Sequence, residues 1–260
     1  KILFEKSYGS NESNKPNQIN TKYEIASMSK MFTAVAIMQL KESKKLSLEQ
    51  SIGEILDDYP NEDAKRITVS QLLSHTSGLG DFFGPEFDQN KDTLKSLKDY
   101  LPFFVDDPLE FNPGERMRYS NAGFIVLGLI IEKLSNTDYN SYLTQNIFQP
   151  TEMLSTGPLP SSAGGGNSTV TDFHKFAMAL KDNILISKET LSSMTTYHFG
   201  NGYGYGMSIK DLNGNKVYGH NGGAPGVSGE FEMVKGEPLI IITLSNRSPM
   251  EGWAQLRTNI

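Results

Sequence analysis

Ser27-Met-Ser-Lys30 is the one Ser-x-x-Lys in the chain. On a helix, positions i and i+3 share a face, so this spacing brings a hydroxyl to an amine. Ser27 would lie in the first turn, where the helix dipole favours a developing alkoxide. The pair reads as a serine nucleophile with a lysine to take its proton, or as a capped helix with a surface lysine. The apolar neighbours Ala26, Met28 and Met31 argue that Lys30 leaves a buried turn. Tyr119-Ser-Asn121 puts a phenol and an amide two residues apart just before a strongly apolar run. They could face one cleft, or Asn121 could cap a helix while Tyr119 packs as an ordinary aromatic. A second Tyr-x-Asn, Tyr59-Pro-Asn61, has a proline and polar neighbours and reads as an exposed turn. His220-Asn221-Gly222 runs into Gly223-Ala-Pro-Gly226. Glycines there let a substrate lie close against a strand edge, although the stretch also reads as a glycine-rich turn with a surface histidine. His198-Phe-Gly200 repeats the pattern in a connecting loop.

The composition removes other chemistries. There are 260 residues, 30 acidic against 24 basic, and no cysteine. A mildly acidic chain lacks the basic face that a nucleic-acid partner needs. Thiolate metal sites, disulfides and cysteine nucleophiles are excluded. The four histidines show no His-Glu-x-x-His spacing, so neither a metal nor another cofactor is expected. No Gly-x-Ser-x-Gly occurs, which argues against an α/β-hydrolase. The longest apolar run, 124–131, is far shorter than the roughly 20 residues a transmembrane helix requires. The chain opens on Lys1-Ile-Leu-Phe, and a preceding segment is expected.

The elements that must position these residues are legible in outline. Met28, Met31, Phe32, Val35 and Met38 predict a helix over 26–39. Thr68-Val-Ser-Gln71 fits a capping box. Residues 121–134 are apolar nearly all round, as in a helix buried between lobes. Thr171-Asp-Phe-His opens another helix. Residues 203–246 read as antiparallel strands, with Asn213-Gly214 and Lys235-Gly-Glu as hairpin turns. Residues 2–8 alternate and are expected to add a strand to that sheet, and a short helix is expected after about 250. The fold class is α+β. An antiparallel sheet built from both chain ends carries flanking helices and an inserted all-helical lobe. The whole chain, 1–260, reads as one domain, with an α/β lobe over about 1–50 and 165–260 and a helical lobe over about 51–164.

In this order and context the three groups resemble the serine β-lactamase / DD-peptidase (penicillin-binding) superfamily, which carries Ser-x-x-Lys, Tyr-x-Asn and Lys-x-Gly or His-x-Gly. Leu72-Leu-Ser-His-Thr-Ser-Gly-Leu79, Phe111-Asn-Pro-Gly-Glu115, Gly164-Gly-Gly166 and Gly219-His-Asn-Gly-Gly223 extend the match along nearly the whole chain. The branch it is most similar to is that of class C β-lactamases, DD-carboxypeptidases and esterases.

The resemblance implies an acyl-enzyme on Ser27. Lys30 would help take its proton, and Tyr119 would act as general base and then general acid. Asn121 would bind a substrate amide carbonyl. The backbone N–H groups of Ser27 and Gly223 would form the oxyanion hole beside His220, Asn221 and Gly222. A free phenol titrates near ~10, so this role asks Lys30, as an ammonium, to depress Tyr119. His75 and Glu115 are expected to be structural. His220 stands where β-lactamases of this branch usually have lysine, and a neutral imidazole would not orient a β-lactam carboxylate. The expectation is therefore a DD-carboxypeptidase-like or esterase-like hydrolase of a peptide or small ester. The alternatives are a β-lactamase, or a penicillin-binding sensor that acylates without turnover. Location in the bacterial envelope, periplasmic or secreted, follows from the resemblance alone. Residues 154–164 are shorter than the resemblance implies, which suggests missing residues there.

Overall fold

The computed structural model describes residues 2–11, 13–200 and 202–248. The helix expected over 26–39 begins as a 3-10 turn, Ala26–Ser29, and continues as α1, Lys30–Glu42. Every α1 residue from Lys30 to Met38 is buried. Short helices α2 (Ile52–Ile55) and α3 (Val69–Leu73) each start in a complete capping box, Ser51/Glu54 and Thr68/Gln71. The reciprocal side-chain bonds satisfy amides that so short a helix could not otherwise pair. The helical block continues through α4 (Pro85–Asn90), α5 (Asn121–Ser135) and α6 (Tyr139–Leu143). Helix α5 is buried from Asn121 through Ile131, as its apolar circumference requires.

The chain then returns. Strand β1 (Tyr23–Glu24) pairs antiparallel with β2 (Asn167–Ser168), tying the start of the fold to the stretch after the helices. Helices α7 (Val170–Lys181) and α8 (Lys188–Met194) follow, and then β3 (Ser208–Leu212), β4 (Asn215–Ala224), β5 (Val227–Val234) and β6 (Ile240–Ser245). These four form one antiparallel sheet in sequence order. The β3–β4 hairpin turns on Asn213 and Gly214, with φ of 53° and 84°, the left-handed pair that an Asn-Gly turn supplies.

A single core joins these layers. Phe32 of α1 packs against Phe173 and Phe176 of α7 with ring centroids 5.7 and 4.9 Å away, and both of those lie 5.8 Å from Phe231 of β5. Each such fully buried ring is worth about 1.5–3 kcal/mol of apolar transfer. The 26–29 turn is thereby clamped between the helical block and the face of the sheet.

Two expectations need correction, the 2–8 strand and the exposed 59–61 turn. Residues 2–8 form no strand, and all four strands of the main sheet come from the region after residue 207. Ile2 and Phe4 are 57% and 73% exposed. Alternation supplies a face but not a ladder partner, and a strand needs both. Tyr59-Pro-Asn61 is a turn but not an exposed one. Tyr59 is buried at 3%, and Asn61 donates to the carbonyls of Val105 and Asp107. Residues 154–164 run as a hydrogen-bonded connection, in which the Ser155 amide donates to Asp172 and the Leu159 amide to Asn140. The helix expected after 250 lies outside the described residues. Among those described, no helix is long and apolar enough to cross a membrane.

Candidate active site

Ser27 occupies the 26–29 turn directly after Ala26, whose φ is +44°. A left-handed alanine is strained by roughly 1–2 kcal/mol. It is held by its carbonyl, which accepts from the Gly165 amide at 3.1 Å and the Ser29 hydroxyl at 3.0 Å. The Ile25 amide in turn donates to the Gly166 carbonyl. Gly164-Gly-Gly166 is thus the strap that aims the turn. From the other side strand β4 packs against it. A side chain on Gly222 would place its Cβ 2.2 Å from the Ile25 carbonyl oxygen. Only glycine permits that approach.

Lys30 is completely buried, and its Nζ has three neighbours. It lies 3.3 Å from Ser27 Oγ and 2.6 Å from Asn121 Oδ1, and it donates to the Ala163 carbonyl. Two of these partners can only accept. Ser27 Oγ can do either, so a neutral amine would give its two hydrogens to Asn121 and Ala163 and turn its lone pair to the Ser27 hydroxyl. Burial lowers Lys30 from 10.5 to about 7, against an opposing pull from Asp81.

Asn121 is the first residue of α5, not its cap. Ser120 caps the helix by accepting from the Gly123 amide at 3.0 Å, and its own hydroxyl donates to the Gly80 carbonyl. That frees the Asn121 amide to bridge. Its Oδ1 accepts from Lys30, and its Nδ2 donates to Asp81 Oδ2 at 2.7 Å. Tyr119 lies beside them, with Lys30 Nζ 4.9 Å from its ring centroid. The phenol is pushed up by burial, although 36% of the residue's surface is open, while a hydrogen bond to Ser27 acts in the opposite direction. Both shifts run against an ammonium at Lys30 depressing the phenol. Burial lowers Lys30, with Asp81 only partly opposing it, and raises the Tyr119 phenol.

His220 is 4% exposed in β4. Its Nδ1 lies 2.6 Å from the Asn221 carbonyl, which can only accept, so that nitrogen carries the proton. Nε2 then accepts from the Tyr203 hydroxyl at 2.9 Å. Burial, with Lys30 adding repulsion, depresses the imidazole to about 3. It is neutral at any working pH, as the exchange of histidine for lysine suggested. Beyond Gly219 the β3 ladder has ended, so β4 keeps only β5 as a neighbour from His220 to Ala224. On that free edge Asn221 and Gly223 are exposed and Gly222 is buried.

The structural reading of His75 is half met. Its Nδ1 accepts from the Ser120 amide at 3.2 Å, but Nε2 is buried without a hydrogen-bond partner, and the ring packs 4.2 Å from that of Tyr119. Glu115 accepts from the Asn112 amide, a loop contact. His198 is in a loop and bonds to the Ser193 carbonyl. Sequence reasoning missed Asp81 and Tyr203. Asp81 follows the Leu72–Leu79 motif by two residues, but no spacing rule marks it as a partner of Asn121. Among the described residues, no group of three His, Asp or Glu could hold a metal ion.

The β-lactamase family model matches residues 1–260. "Penicillin-binding protein 4*" of Bacillus subtilis (strain 168) is 29% identical over 300 aligned positions, covering 95% of this chain and 66% of that protein. The chain thus spans slightly less than two thirds of that relative. The alignment is longer than the chain, so the relative carries insertions. The crystal structure of a penicillin-binding protein from Bacillus halodurans superposes with a TM-score of 0.83 at 30% identity, covering 98% of this chain and 91% of that one. A D-stereospecific amidohydrolase from Streptomyces sp. superposes with a TM-score of 0.79 at 25% identity, over 88% and 83% of the two chains. With its whole length matched by the family model, this chain belongs to the β-lactamase family.

Proposed function

We propose that the chain hydrolyses an amide or ester through an acyl-enzyme on Ser27, with Lys30 as the base. The observation that supports this most is the lysine's environment. It is fully buried, lowered to about 7, and has two obligate acceptors and the serine as its three neighbours. As Ser27 Oγ attacks the scissile carbonyl, its proton passes to Lys30 Nζ. The carbonyl oxygen takes up negative charge against the backbone N–H groups of Ser27 and Gly223. Such a pair of donors is worth roughly 3–4 kcal/mol in comparable sites. Tyr119, still a phenol, protonates the departing nitrogen or oxygen and is reprotonated from Lys30. Water then attacks the acyl carbon by the same route in reverse. Lys30 and Tyr119 thereby share one proton across the acylated serine and titrate as a coupled set. Asn121, Asn221 and the Gly222–Gly223 edge line the acyl group.

The neutral His220 favours substrates without a carboxylate to be gripped at that position. An esterase or amidase reading is thus stronger than a DD-carboxypeptidase one, and efficient β-lactam turnover is least favoured. Likeness to penicillin-binding proteins keeps the DD-carboxypeptidase reading as the second, and a bacterial-envelope location belongs to the same proposal.

The direct test is intact-mass spectrometry of wild type and Ser27→Ala after a fluorophosphonate and after a penicillin. An adduct on wild type alone supports Ser27, and the lifetime of the penicillin adduct separates turnover from trapping. Absence of any adduct with both reagents would overturn the reading in favour of a binding protein.

The base assignment has its own signature. With Lys30 titrating near 7, kcat/KM for a neutral ester should rise about tenfold per pH unit below 7 and level off above it. A rise that continues beyond pH 9 would instead identify the Tyr119 phenolate as the base.

A further inference from the structure

His75 is a buried imidazole that the acyl-transfer steps do not use, and its backbone is unusual. It follows the end of α3, where the His75 and Thr76 amides close the helix on the Leu72 and Gln71 carbonyls. Helices that end in this way commonly place glycine at that residue. Here a histidine takes the left-handed conformation, with a φ of +57°. Its bonds bracket Tyr119. The His75 carbonyl accepts from the Arg118 amide at 2.9 Å, and Nδ1 accepts from the Ser120 amide at 3.2 Å. The imidazole packs on the phenol ring with centroids 4.2 Å apart, and Tyr203 and Phe124 back it at 4.7 and 5.1 Å. The other aromatic contacts of Tyr119 are wider, 6.4 Å to Tyr203 and 6.2 Å to His220.

We infer that His75 is a positioning residue for Tyr119, holding the phenol beside Ser27, where it protonates the leaving group. This rests on the acyl-enzyme reading above and deepens it. Because Nδ1 accepts, Nε2 carries the proton, and that nitrogen finds no acceptor among the described residues. Burial also pushes the imidazole well below its usual range, so the ring stays neutral as the bond requires. Burying an unpaired N–H is costly, and an apolar side chain of similar size would avoid it. Such a side chain could not accept from the Ser120 amide. The imidazole is therefore accounted for by what it holds, and what it holds is the peptide on either side of Tyr119 and the face of its ring. A small displacement of that phenol lengthens its reach to the departing atom, to which proton transfer is sensitive.

The test uses two butyrate esters that form the same acyl-enzyme. p-Nitrophenolate leaves without a proton, whereas ethanol must be protonated as it departs. The ratio of kcat/KM for ethyl butyrate to that for p-nitrophenyl butyrate therefore reads the Tyr119 proton, and Tyr119→Phe sets the scale by lowering it. His75→Gly removes the ring and Nδ1 and suits a positive φ. It keeps the bonds of the His75, Thr76 and Gly78 carbonyls to the Arg118, Gly114 and Glu110 amides. This variant should lower the ratio about tenfold or more. His75→Asn tolerates the same φ and offers Oδ1 to the Ser120 amide but lacks the ring, so its ratio should fall by only about threefold. In the Tyr119→Phe background neither substitution should change the ratio by more than about twofold, since a residue that acts through the phenol has nothing left to act on. Equal losses on both esters, or the same fall in both backgrounds, would overturn the inference and leave His75 a purely structural residue. Should His75→Gly not fold, His75→Asn decides by the same comparison. If Tyr119→Phe itself leaves the ratio unchanged, Tyr119 is not the proton donor and the inference falls with that assignment. Failure of the hydrolase reading looks different, since neither ester would then be turned over and Ser27 would carry no adduct.

Discussion

Lys30→Met should lower kcat by on the order of 10^3-fold or more while leaving a folded protein whose stability responds differently to pH. The loss of activity follows from removing the group that takes the Ser27 proton, since general bases contribute about 10^2–10^4-fold and this one also orders the serine. The stability effect follows from linkage. In the folded state Lys30 is fully buried and lowered to about 7 from an unfolded value of 10.5. Between those values the unfolded chain binds the proton more tightly, so it gains protons that the folded chain lacks. Stability of the wild type therefore rises with pH across that window. The penalty is fully present below pH 7, amounts to about 5 kcal/mol, and disappears above the unfolded value. Methionine fills a similar volume and carries no charge. It leaves the Ala163 carbonyl and Asn121 Oδ1 without their donor, which costs about 1–3 kcal/mol each, so near pH 7 the two effects largely offset. The difference between the proteins isolates the titration. Wild type should gain about 1.4 kcal/mol per pH unit on Lys30→Met between pH 7 and 10 in urea unfolding. A difference independent of pH would mean that Lys30 is not held neutral by burial.

The second large effect concerns the contact between the sheet and the nucleophile turn. Gly222→Ala should destabilise the protein by about 1–3 kcal/mol and cut kcat by about 10^2-fold. The added Cβ would lie 2.2 Å from the Ile25 carbonyl oxygen and 3.1 Å from Met28 Cγ. A methionine can move aside. The Ile25 carbonyl cannot easily do so, because it accepts from the Met28 amide and so closes the first turn around Ser27. The strand must then withdraw, and the Gly223 amide withdraws with it. Gly84→Ala is the matched control, since nothing lies within 4 Å of the added atom and a φ of 172° suits any residue. Thermal denaturation and ester hydrolysis of both variants decide the matter. Equal behaviour would show that the close approach at Gly222 has no functional weight.

Local pattern carried a large part of the architecture. The capping box at Thr68, the all-apolar helix over 121–135 and the Asn213-Gly214 hairpin each follow from interactions between residues a few positions apart. Such interactions are written in sequence order, so reading them requires no knowledge of the rest of the chain. The 2–8 segment fails for the complementary reason. Its alternation is genuine, but the partner strand that would make it part of a sheet is a tertiary matter.

The candidate site divides along the same line. By itself the sequence determined the types of group and their order: a serine and lysine one helical turn apart, a phenol and an amide at the head of an apolar helix, and a histidine before glycines. From these came the family and the expectation of an acyl-enzyme on Ser27 with a neutral His220. Only the tertiary structure decided how deeply each group is buried, and so in which direction its proton affinity moves. Lys30 is lowered because α1, α5 and the 163–166 strap exclude water from it, and solvent exclusion is a property of packing rather than of spacing. Asp81 was unreadable for the same reason. Forty positions separate it from Asn121, and the 2.7 Å bond between them exists because the loop after α3 folds back over the start of α5.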